Sequence, residues 1–116
     1  MKRIVRFLHP AELELLDAAH YYELQASGLG ADFLDKIEKA INDIAEDPQK
    51  WPIIRFQIRR RLIHRFPFGL LYRIDPDEIL IIATMHLHRH PDYWIDRQIA
   101  LSMMIFKEKT NTKLKM

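Results

Sequence analysis

The chain has 116 residues, no cysteine and a formal net charge of +2, a length that supports one domain with a single core and a composition that excludes disulfide scaffolds and thiolate metal sites. Hydrophobic residues make up 48% and charged residues 29%, with only three glycines and six prolines, which excludes a disordered or fibrous chain. The charge is uneven: residues 1–52 hold six Lys/Arg against ten Asp/Glu, and residues 53–116 hold twelve against six, so an anionic partner is expected to be steered to the C-terminal half.

The N-terminal MKRIVRFLHP has neither the apolar run nor the cleavage site of a signal peptide, and no window approaches the length of a membrane span. A cytoplasmic protein without membrane contact is expected. RIVRFL, residues 3–8, is a short apolar and β-branched run that predicts a first strand. Pro10 then suits a first helical turn, and the helix formers that follow place Leu13, Leu16, His20 and Leu24 on one face. Gly28 and Gly30 break this helix. In the next segment Phe33, Ile37, Ala40, Ile41 and Ile44 recur at three and four until Pro48, so two helices form an antiparallel hairpin.

After Trp51-Pro52 the period becomes extended: RRRLIHRF, GLLYRI and EILIIATMH are three strands, separated by Pro67-Phe68-Gly69 and Asp75-Pro76-Asp77. Residues 79–82 are apolar on both faces, as in the interior of a sheet, and the helices are expected to cover one side of it. A last helix is predicted in DYWIDRQIALSMMIF, with Ile95, Ile99, Met103 and Phe106 spaced by four and three and Trp94 pinning the segment to the sheet. Residues 1–106 are thus read as one domain and 107–116 as a polar, basic, mobile tail.

Strand, helix hairpin, three-stranded meander and short helix make a small α+β fold. On this frame sit YYELQASGLGADFLDKIEKAI, DPQKWP, RRRLIHRFPFGLLYRI and HLHRHPDYWIDR, and together they resemble the RelE/ParE family of toxins from bacterial toxin–antitoxin modules. The resemblance covers about residues 3–97. It implies a β-α-α-β-β-β order with an antiparallel meander under a helix hairpin, a cognate antitoxin that wraps the helices and sheet, and one of two targets. ParE-like members block DNA gyrase; RelE-like members cut mRNA in the ribosomal A site.

A nuclease of the second kind needs proton-transfer groups and positive charge around the phosphate. The candidates are His86, His88 and Tyr93 for proton transfer, and Arg59, Arg60, Arg61, Arg65 and Arg89 for binding a target. Arg61 and Arg65 are expected on one strand face, converging with the histidines on one concave surface. Two departures favour the ParE-like branch: no lysine lies between residues 51 and 98, arginine being a poor proton-transfer group, and Leu87 occupies the position of the last arginine of the RelE-like site.

The arginines have an alternative role, pairing with acids on the antitoxin. His64 is expected to be half-buried and hydrogen-bonded. No cofactor or metal is expected, since His86 and His88 lack a neighbouring acid in sequence. Tyr21 and Tyr22, with Ile99, Met103 and Phe106, are expected to bind the antitoxin, either in a hetero-oligomer or with the C-terminal helix buried in a homodimer. A third possibility is a non-enzymatic nucleic-acid-binding module that uses the basic strand on phosphates.

Overall fold

The computed structural model describes residues 3–101 and Met103. Strand β1 (Ile4–Phe7) leads into α1 (His9–Gln25) and α2 (Leu29–Glu46), followed by β2 (Ile53–Arg55), β3 (Ile58–Leu62), β4 (Phe68–Ile74) and β5 (Glu78–His86). Residues 95–101 are again helical. The five strands form one sheet in the order β1-β5-β4-β3-β2. β1 runs parallel to β5, and the other pairs are antiparallel. The α+β fold expected from the sequence is present, with one further strand, β2, at the sheet edge.

β5 lies between β1 and β4, which explains its apolar run: its neighbours and both covering layers keep Ile79 to Met85 buried. Below the helices, Ala18, Ala19, Phe33, Ile37, Ala40 and Ile44 pack on Leu70, Tyr72, Ile79 and Ile81. On the opposite face Trp94 is fully buried with Ile58, Leu71, Leu80 and Ile82, so it pins the C-terminal segment as expected.

The α2 face is the one read from sequence, but α1 differs. Its buried residues are Ala11, Ala18 and Ala19, while Leu13, Leu16 and Leu24 are 48%, 51% and 72% exposed. Small side chains are needed on the inner face because α2 approaches closely. A Cβ on Gly30 would stand 2.6 Å from the Ala19 carbonyl oxygen. Gly28 takes φ 88° at the connection, and the Glu23 carboxylate accepts hydrogen bonds from the Gly28 and Gly30 N–H groups, satisfying donors at the start of α2.

β3 also ends earlier than its alternating pattern implies. The Ile63 N–H donates to the Phe68 carbonyl, closing a turn in which Arg65 has φ 71°. Arg65 therefore lies in the turn and not on the strand that carries Arg61. His64 lies in the same turn and is exposed rather than half-buried, because the period-two pattern that placed it between Leu62 and Phe66 stops with the strand. Phe68 and Gly69, read as turn residues, open β4.

Candidate functional site

The arginines of β3 alternate between the two sheet faces. Arg59 Nη1 donates to the Gln49 and Trp51 carbonyl oxygens at 2.9 and 2.6 Å, tying the segment after α2 to the sheet. Arg61 lies 2.6 Å from Asp43 on α2, donates to the Leu62 carbonyl and stacks over Trp51, its Cζ 4.5 Å from the ring centroid. The hydrogen bond from this guanidinium holds the Asp43 carboxyl below its usual range. Arg60 points to the other face, where its aliphatic stem crosses Gly69 and its Nε is buried without a partner among the described residues. Arg65 and Arg89 have no ion pair among the described residues.

Two hollows bear these groups. The first, about 450 Å³, lies between α1 and the ends of β4 and β5, and its lining includes Asp17, Tyr21, Tyr22, Phe68, His86 and Arg89. The second, about 520 Å³, is lined by Lys39, Trp51, Arg61, His64 and Arg65 with Leu62 and Ile63. Arg61 and Arg65 thus line one hollow, and His86 and Arg89 the other, instead of the single surface expected.

His86 packs edge-on against Phe68 at 5.0 Å and against His88 at 5.1 Å between ring centroids. Its Nδ1 accepts from the His88 N–H at 3.1 Å. His88 is exposed and does not line the first hollow. Neither does Tyr93, whose hydroxyl donates to Glu14 on α1 at 2.7 Å. Burial, reinforced by that hydrogen bond and the Glu14 charge, pushes the Tyr93 phenol well above its ordinary range. A phenol so placed holds its proton more tightly, which opposes use as a general acid.

Glu14 is a hub that sequence reasoning missed, for nothing distinguishes it there from the other acids of α1. It also accepts two hydrogen bonds from Arg97, at 2.8 and 3.1 Å, and one from the Thr84 N–H at 3.1 Å. Arg97 donates as well to the Ile82 carbonyl, where β5 bulges: Leu71 pairs with Ala83 but Tyr72 with Ile81. The bulge lets Ile82 and Ala83 both join the cluster around Trp94.

Of the residues expected to meet an antitoxin, Tyr21, Ile99 and Met103 are exposed, and Tyr22 is half-buried against Phe33 and Phe66. Phe106 lies outside the described residues. Among the described residues no cluster of three or more His, Cys, Asp or Glu could hold a metal ion, and no helix is long and apolar enough to cross a membrane.

A helix hairpin on one sheet face, an aromatic-anchored C-terminal segment on the other and an arginine-rich third strand define a small α+β domain. The sequence matches, over residues 5–91, the family described as "ParE toxin of type II toxin-antitoxin system, parDE", and the chain belongs to that family. A solved chain titled "Chromosomal ParDE TA system from P. aeruginosa" has a similar fold, with a TM-score of 0.64 at 15% identity, covering 75% of this chain and 98% of that one. No curated protein matches the sequence.

Proposed function

We propose that this chain is the toxin of a type II pair, that it arrests growth by binding DNA gyrase as a protein partner, and that a cognate antitoxin neutralises it in a hetero-oligomer. Family membership supports the toxin role. The observation that carries the choice of target is the state of the would-be proton-transfer groups. Tyr93 is locked to Glu14, and two of the β3 arginines that would surround a phosphate, Arg59 and Arg61, are engaged with backbone carbonyls and Asp43. This arrangement supports a surface that binds a protein over one that presents a base and an acid to one RNA phosphate.

The test is a gyrase supercoiling assay with purified chain, alongside thymidine and methionine incorporation after induction in cells. Supercoiling and thymidine incorporation are expected to fall first, equally for wild type and for His86→Ala, His88→Ala and Tyr93→Phe. Methionine incorporation falling first, with any one of these variants losing roughly a hundredfold or more in activity, is the behaviour of a ribosome-dependent endonuclease and would sink the gyrase reading.

A further inference from the structure

The two residues that close the β2–β3 hairpin, Phe56 and Gln57, both have left-handed backbone, with φ 49° and 65°. Positive φ at both central positions is the type I′ turn, whose low-strain sequences are Asn-Gly and Asp-Gly. A residue with a bulky Cβ substituent is disfavoured there because the Cβ crowds the carbonyl oxygen. Phenylalanine at this position therefore opposes the local geometry, and packing gives no reason for it: Phe56 belongs to neither core cluster and is 55% exposed.

The ring is nonetheless held. The Arg55 guanidinium covers one face, its Cζ 4.7 Å from the ring centroid, and Arg55 is tethered to Asp92 by a 2.6 Å ion pair. An exposed aromatic fixed by a cation, which is itself fixed by a second segment, loses little freedom when it enters a pocket. Aromatic side chains of this kind are the usual anchors of protein interfaces.

We propose that Phe56 is the anchor with which this toxin grips its target protein, its ring entering an apolar pocket while the Arg55–Asp92 pair holds it in place. The proposal rests on the toxin reading above. A protein pocket is favoured over a nucleic acid because the neighbouring cations are engaged, Arg55 with Asp92 and Arg59 with two backbone carbonyls, leaving no array for phosphates. The target is favoured over the antitoxin because the outward leucines of α1 stand among Glu12, Asp17 and Glu23 with no Lys or Arg in the helix, a surface for a basic partner, whereas residues 53–62 of the hairpin hold arginines and no acid and do not complement one.

The double variant F56N/Q57G gives the turn its low-strain sequence and removes the ring. Its melting temperature is expected to equal or exceed that of wild type, its growth arrest to weaken by about tenfold or more, and its affinity to stay unchanged for the small protein that rescues growth on co-expression. F56Y, which keeps an aromatic ring, should stay toxic. A double variant as toxic as wild type would overturn the proposal. So would a lower melting temperature for that variant, since the phenylalanine would then serve the turn. Loss of affinity for the rescuing protein would make the antitoxin the occupant, and Phe56-dependent binding to a short DNA duplex or single-stranded RNA would replace the pocket with base stacking. A wild-type chain that arrests nothing removes the toxin reading itself, an outcome distinct from an active wild type with an equally active variant.

Discussion

Tyr93 changes meaning between sequence and structure. In HLHRHPDYWIDR it stands among histidines and arginines as a reactive group; in the fold its hydroxyl is bonded to Glu14, with Arg89 and Arg97 over the ring at 4.2 and 5.0 Å. Tyr72 is placed in a similar way, donating to the Pro48 carbonyl at 2.5 Å, and burial pushes its phenol up to about 12. Both folded-state values are raised, so the folded protein binds more protons than the unfolded chain once pH exceeds the ordinary tyrosine value of 10.0. The stability that these two groups contribute is complete below that pH and is lost as pH climbs through the shifted values. Urea titrations from pH 8 to 11.5 are expected to show a midpoint that is flat to about pH 9.5 and then falls. In Tyr72→Phe/Tyr93→Phe the neutral-pH midpoint should drop by the loss of two hydrogen bonds, about 1 kcal/mol each, while the alkaline fall becomes shallower. An unchanged alkaline slope would show that other groups carry it.

Among the elements, α2 was legible in the sequence because its apolar period and its buried face coincide, as Phe33, Ile37, Ala40 and Ile44 show. α1 misled because its regular leucines face solvent and its packing face is alanine. Interhelix distance imposed that choice, and period carries no distance. β5 was legible from an apolar run that only an interior strand tolerates. β2 was not, being three residues long and closed by Phe56-Gln57 instead of a recognised turn pair. The site was the least legible: the residue types were found, but the end of β3 at Leu62, and hence the placing of His64 and Arg65 in a turn, depends on the Ile63–Phe68 backbone hydrogen bond. Gly30 tests the packing argument for the helix pair. Gly30→Ala adds the one group that cannot fit, since the nearest atom, at 2.6 Å, is backbone, and the helices must move apart. A loss of about 1–3 kcal/mol in unfolding free energy is expected, despite the better helix propensity of alanine. Equal or greater stability than wild type would mean that α1 and α2 separate without consequence for the core.

At the scale of the molecule, the acidic first half and basic second half are partly neutralised inside the fold. Arg61 crosses from the sheet to Asp43 on α2, and Arg97 from the C-terminal segment to Glu14 on α1, so these ion pairs join layers instead of creating a field for a distant anion. Among the acids left outward are Glu12, Asp17 and Glu23 around the α1 leucines. An apolar stripe with an acidic border on a lone chain marks a surface meant to be covered, and the proposed antitoxin is its expected occupant, through an amphipathic helix with basic flanks. Replacing Leu13, Leu16 and Leu24 together by glutamine should leave the unfolding free energy within about 1 kcal/mol of wild type, because exposed side chains contribute little to folding. Affinity for the antitoxin should fall by about tenfold or more, since truncated interface anchors have effects of that size, and toxicity of the chain expressed alone should persist. Full rescue of growth by the antitoxin, with undiminished affinity for the triple variant, would move the covered surface elsewhere on the domain. The exposed Tyr21, Ile99 and Met103 would then be the next residues to substitute.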